Sequence, residues 1–101
     1  MSKVIIPFLS RFKEPMISGQ KTATTRVRKY GSIGDVFSIF GSSFELTKVE
    51  KVPLNSVATS YYSQEGFVSK QEFVNVWEQI HPIRGYDSEQ IVWLHQFKKV
   101  Q

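Results

Sequence analysis

The residues best equipped for chemistry stand together in Gly19-Gln20-Lys21-Thr22-Ala23-Thr24-Thr25-Arg26, where one glycine, two cations and three hydroxyls fall within eight positions. No other stretch is so polar while lying between two apolar ones. Lys, Thr and Arg at this density face solvent, a phosphate or a reacting group. Lys21 and Thr24 are three positions apart, so on a regular strand they would point to opposite faces. They converge if the stretch is a turn or an irregular loop, which Gly19 permits. The plainer alternative is a solvated, glycine-started turn feeding a threonine-rich strand, because threonine favours strands.

Composition narrows the chemistry. There is no cysteine, which excludes disulfide frameworks, thiolate zinc sites and cysteine nucleophiles. The two histidines, His81 and His95, lack metal-ligand spacing, so we expect neither a metal nor a cofactor. The chain has 101 residues, 41% hydrophobic and 22% charged, which suits one domain (1–101) with a single core. Its formal net charge of +4 and pI near 9.5 tilt it towards anionic partners: a nucleoside, a nucleotide or RNA. The apolar run at Val4-Ile5-Ile6 is short and interrupted by Pro7, unlike a signal peptide, and no run approaches a membrane span. The expectation is a cytoplasmic protein with no membrane partner, a monomer or weak dimer.

The elements that must position the central stretch follow from pattern. Val4 to Leu9 reads as a first strand, with Pro7 confining it to an edge or bulge. A short helix starts near Lys13, because Pro15 is tolerated only in the first turn, and Gly19 closes it as a left-handed cap. Residues 27–35 form a loop carrying Arg28 and Lys29. Val36–Phe40 and Phe44–Val52 read as a hairpin around a turn at 41–43. Residues 53–62 predict a short helix capped by Asn55 or Ser56. Ser69-Lys70-Gln71-Glu72 has capping-box form, and Phe73, Val76, Trp77 and Ile80 follow at helical spacing up to His81-Pro82. Residues 90–97 close the chain as a strand, with Val92, Leu94 and Gln96 on one side and Ile91, Trp93, His95 and Phe97 on the other. Strands without regular strand–helix alternation indicate an α+β fold. Curvature signals at Pro7 and Gly34 favour a small, partly open mixed β-barrel with two or three flanking helices.

Three pieces in order, Gly19-x-Lys21-x-x-Thr24-x-Arg26, then Gly34-Asp35 before a strand, then Glu65-Gly66-Phe67 before a capped helix, resemble the ASCH domain, a relative of the PUA-like barrels. In length the chain resembles the small bacterial ASCH proteins that act as N4-acetylcytidine amidohydrolases. The resemblance implies a barrel with a cleft for RNA or a modified nucleoside, and a Lys–Thr–Glu site that matches Lys21, Thr24 and Glu65. Val27, Arg28 and Lys29 depart from the family pattern, in which an acidic residue follows the motif arginine, and Gln96 stands where an acid is common. Both changes shift the cleft towards anions.

Amide hydrolysis needs a nucleophile, a base and donors for the oxyanion. Thr24 reads as the nucleophile. Lys21 reads as the base, provided that burial or a neighbouring cation such as Arg26 lowers its pKa. Glu65 reads as the acid/base or the orienting group. Arg26, Arg28 and Lys29 read as substrate- or RNA-binding cations, and Tyr62 as a base-stacking ring, ahead of Tyr61, Trp77 and Trp93. Against these stand structural roles: a solvated Lys21, a turn-capping Glu65, an Arg26 ion pair with Asp35, and a core Trp77. The alternatives to amidohydrolysis are a non-catalytic RNA-binding module and an RNA-cleaving ASCH protein.

Overall fold

The computed structural model describes residues 2–101. A 3-10 turn at Ser10–Phe12 runs into helix α1, Lys13–Ser18, which ends at Gly19 with φ +85°. The positive φ and the Gly19 N–H donated to the Met16 carbonyl make this the expected glycine cap. Strand β1, Ala23–Arg26, follows. The hairpin pairs β2, Val36–Ile39, with β3, Ser42–Pro53. Its loop is Phe40-Gly41 and starts one residue earlier than the sequence suggests: both residues adopt positive φ, as a type I′ two-residue loop requires.

Helix α2, Leu54–Ser60, begins without a side-chain cap, contrary to the Asn55 or Ser56 reading. Its first N–H groups donate instead to the carbonyls of Gln90 and Ser88, so backbone supplies what a cap would. Helix α3, Lys70–Ile80, starts as expected, with the Glu72 N–H donating to the Ser69 hydroxyl at 3.1 Å. Glu72 reaches back to the Val68 N–H, one residue outside the standard box. Strand β4, Ile91–Lys99, completes a four-stranded antiparallel half-barrel in the order β1-β4-β3-β2. The fold is α+β.

The first predicted strand does not form. Residues 4–9 keep the in-out alternation, with Ile6 buried and Ile5 87% exposed. Among the described residues their backbone pairing with the sheet is limited to the parallel bridge at their start, Lys3 to Val36, where the Val4 N–H donates to the Val36 carbonyl. Pro7 has no donor to extend a ladder, and its carbonyl is taken by Arg26.

The curled sheet is covered on both faces. Phe8, Phe37, Phe44 and Phe97 pack ring to ring inside the curl, at centroid distances of 5.3–6.2 Å. Leu54, Val57, Phe73 and Trp77 of the two helices are buried with Val92 and Leu94 of β4. This is why β4 buries residues of both phases.

His95 is fully buried in β4, and its ring orientation is set by two contacts. Nε2 accepts the Tyr30 N–H at 3.0 Å, so Nδ1 carries the proton and donates to the Trp93 carbonyl at 3.1 Å. Burial lowers its pKa, with Arg26 and Lys29 adding to the fall. The unfolded chain therefore binds a proton that the fold excludes, and stability rises with pH across that interval. We predict that stability falls as pH drops below about 6.5 towards the lowered value, and that His95→Gln flattens this dependence in urea titrations at a series of pH values.

Candidate functional site

Lys21 leaves the α1 cap with its N–H donating to the Pro15 carbonyl at 2.8 Å, so a packed helix fixes its backbone. Its side chain is 2% exposed. Nζ donates to the Ala23 carbonyl at 2.8 Å and to the Glu65 carbonyl at 2.7 Å, and lies 3.5 Å from Glu65 Oε1. The Phe12 ring closes another side, with its centroid 4.5 Å from Nζ. Burial lowers the Lys21 pKa; Glu65 opposes the fall, while Arg26 and Arg11 add to it. The two carbonyls take two of the amine's bonding positions, and the carboxylate stands on a third side.

Glu65 arrives from a turn anchored on β1. The N–H groups of Thr22 and Ala23 both donate to the Gln64 carbonyl, and Gly66 follows at φ +97°. A side chain at Gly66 would sit 3.2 Å from Lys21 Cβ, so the glycine lets the turn close on the lysine. Glu65 is 4% exposed, and its Oε2 accepts the Thr25 hydroxyl at 2.7 Å. The hydroxyl on the carboxylate is thus that of Thr25, a residue to which the sequence reading gave no role.

Thr24 points to the other face of β1. Its Oγ1 accepts Arg26 Nε–H at 3.1 Å, and Arg26 Nη2 donates to the Pro7 carbonyl at 2.6 Å. Arg26 lies over Phe8 and Tyr30, with its Cζ 4.9 and 5.3 Å from their centroids, and burial lowers its pKa. It makes no ion pair with Asp35, whose carboxylate accepts the Ser32 N–H of its own loop and the Ser2 N–H of the N-terminal segment.

β1 is an edge strand, and a cavity of about 400 Å³ wraps that edge. Lys21, Thr24, Thr25, Arg26 and Glu65 all line it. Its apolar wall comes from Phe8, Phe12 and Phe67 and from a stack on α3 in which Phe73, Trp77 and His81 follow one another at 6.0 and 4.1 Å. Trp77 is core and cavity wall at once, and its buried indole N–H has no protein acceptor. Tyr30 joins the lining and Tyr62 does not: Tyr62 packs against the core, and its carbonyl holds the Phe67 N–H. Arg28 and Lys29 also lie outside the lining, against the Tyr30 and Trp93 rings. Among the described residues, no three of His, Asp and Glu gather as metal ligands, and no helix is long and apolar enough to cross a membrane.

No protein-family model and no curated protein matches the chain. Solved structures do. An ASCH domain from Lactobacillus crispatus superposes with a TM-score of 0.70 over 97% of this chain and 79% of its own, at 14% identity. The chain has the ASCH domain fold. The ASCH protein of Zymomonas mobilis gives a TM-score of 0.64 over 98% of this chain and 71% of its own, at 15% identity. A Pyrococcus furiosus protein gives 0.66 over 98% of both chains, at 13% identity. These likenesses are of backbone and show the fold alone.

Thr25 fixes the Glu65 carboxylate, so Thr25→Val leaves a buried acceptor without its donor. We predict a loss of about 1–3 kcal/mol in denaturant unfolding. Thr25→Ser, which keeps the hydroxyl, should recover most of it.

Proposed function

We propose that this ASCH protein is an amidohydrolase that removes the acyl group from N4-acetylcytidine or a related acylated nucleoside. One observation carries the reading: the Lys21 amine, buried and held by two carbonyl oxygens beside the Glu65 carboxylate, opens onto a cavity that it shares with the Thr24 hydroxyl. A solvated lysine needs none of this. The aromatic wall suits a flat base, and the unpartnered Trp77 N–H leaves a donor for a ligand carbonyl.

In this mechanism the neutral Lys21 amine accepts the Thr24 hydroxyl proton as Thr24 Oγ1 bonds to the acyl carbon. The Arg26 Nε–H already on Thr24 Oγ1 stabilises the developing alkoxide. In this structure no hydrogen bond joins Thr24 to Lys21; such contacts commonly tighten only in the substrate complex. The carbonyl electron pair moves to oxygen. Strand alternation points the Ala23 N–H outward to Gln64, and it points the Thr25 N–H outward as well, as an oxyanion donor. The intermediate collapses by breaking the carbon–N4 bond. Lys21, steadied by Glu65, returns the proton to N4, and cytidine leaves. Water, activated by the same amine, then cleaves the acyl-threonine to give the carboxylic acid and restore the hydroxyl.

A second reading, a non-catalytic RNA-binding module, is favoured by the stacking of Arg26 and Arg28 on Tyr30 beside the cavity. Chromatographic detection of cytidine released from N4-acetylcytidine separates the two. We predict that Lys21→Ala lowers the rate by about 10²–10⁴-fold, the usual worth of a general base. Lys21→Arg should do the same, because a guanidinium supplies no neutral base. The wild-type kcat/KM should rise with pH along a limb below the ordinary lysine value of 10.5, as the burial-lowered amine loses its proton. Turnover that survives both substitutions rejects Lys21 as the base. Binding of RNA without any turnover leaves the second reading.

A further inference from the structure

We propose that His95 is a positioning residue of the site: its neutral ring holds the 27–35 loop, and with it Tyr30, against the cavity, and a proton on the ring releases both. The proposal rests on the amidohydrolase reading only for its kinetic consequence. His95 and Thr24 are register partners on β4 and β1, so their side chains stand side by side on one face of the sheet. Arg26, two residues on from Thr24, shares that face.

The loop depends on the buried ring. The Tyr30 N–H donates to His95 Nε2 at 3.0 Å. Among the described residues, that is the one hydrogen bond made by the backbone of residues 27–31. From Ser32 onward the loop has anchors of its own: the Ser32 N–H donates to Asp35 Oδ2, and the Gly34 N–H to the Leu46 carbonyl. The side chain carried by the tether builds the cavity. The Tyr30 ring stands edge-on to His95, with centroids 6.2 Å apart, and lines the cavity. Arg26 Cζ lies 5.3 Å from its centre, while Arg26 Nε–H donates to Thr24 Oγ1. One lone pair on His95 thus places a wall of the cavity and a support of the guanidinium on Thr24.

A proton turns that acceptor into a donor. Nδ1–H already donates to the Trp93 carbonyl, so in the charged ring both nitrogens donate and Nε2–H faces the Tyr30 N–H. Turning the ring over relieves nothing. The charged groups on this face add to the conflict. Arg26 of β1, Lys29 of the loop, and Lys51, two residues from the β3 register partner Val49, are all cations. Lys48 and Glu50 flank Val49 on the opposite face and pair with each other. Asp35 is held by the Ser2 and Ser32 N–H groups. Among the described residues no carboxylate pairs with His95. Burial, joined by Arg26 and Lys29, lowers the His95 pKa, so the loop stays tethered until the solution is more acid than the ordinary histidine value of 6.5.

The test follows the ligand-free full chain by NMR over a pH series. The His95 ring nitrogens should titrate below the ordinary histidine value. The Tyr30 amide should lose its hydrogen-exchange protection at the same midpoint, while the amides of Leu94 and Phe97 in β4 stay protected. His95→Gln keeps an acceptor and a donor but takes up no proton, so its Tyr30 protection factor should not change with pH. In the wild-type enzyme, log kcat/KM against pH should steepen from a slope of about one, for Lys21 alone, to about two below the His95 midpoint; in His95→Gln it should stay at about one. Loop release at the His95 midpoint without turnover of any acylated nucleoside supports the tether and removes the amidohydrolase reading. A Tyr30 amide whose protection does not change as His95 titrates, or a wild-type slope of about one throughout, overturns the proposal and leaves the enzyme. Loss of the Leu94 and Phe97 amides at the same midpoint also overturns it, because the proton then unfolds the sheet and not the loop. Should His95→Gln fail to fold, the wild-type titration decides alone.

Discussion

A lysine amine taken out of water is the constraint on which the site depends. Desolvating an ammonium costs several kcal/mol even after relaxation. The chain offsets that cost with two backbone carbonyls, a carboxylate at 3.5 Å and the face of Phe12. None of these comes free. The Ala23 carbonyl is available because β1 is an edge strand whose outward groups have no ladder partner. The Glu65 carbonyl and carboxylate are available because the turn before Gly66 docks on the same edge. The amine therefore joins two distant segments, and its protonation state is tied to their contact.

The edge position of β1 also explains how the site divides. Alternation sends Thr25 towards Glu65 and Thr24 towards Arg26, so the two hydroxyls serve different partners. The cavity wraps the edge and reaches both. Arg26 links this chemistry to the fold: it holds Thr24, ties down the Pro7 segment and stacks on Phe8 and Tyr30. Loss of its guanidinium would loosen residues 2–9 as well as the site, since among the described residues they have only one bridge to the sheet.

What could be read from the sequence was what local chemistry decides. Pro15 and Gly19 bound α1 because each acts through its own backbone, and Ser69 begins α3 because its hydroxyl reaches a neighbour three residues on. The Lys21–Glu65 meeting was legible only through a resemblance that joined two motifs; no local rule links residues 44 apart. Thr25 was missed for the same reason, because its role depends on which face of β1 meets a turn 40 residues later. Residues 4–9 misled because a β-branched, near-continuously apolar run looks the same with or without a ladder, and only the structure shows that Ile5 faces out. Asn55 misled because carbonyls at 88 and 90, remote in sequence, took the place of a cap. Tyr62 looked placed for stacking from its nearness in sequence to Glu65, yet the turn sets it against the core and leaves Tyr30 at the cavity.

The central claim, that the fold holds an amine apart from solvent between two carbonyls and a carboxylate, is tested most directly by titrating the lysine side chains by NMR with nitrogen-15 at Nζ. Lys21 should lose its proton at a lower pH than every exposed lysine, and Glu65→Gln should lower that pH further, because the carboxylate supports the charged form. A Lys21 resonance that titrates together with the surface lysines, in both proteins, would contradict the account.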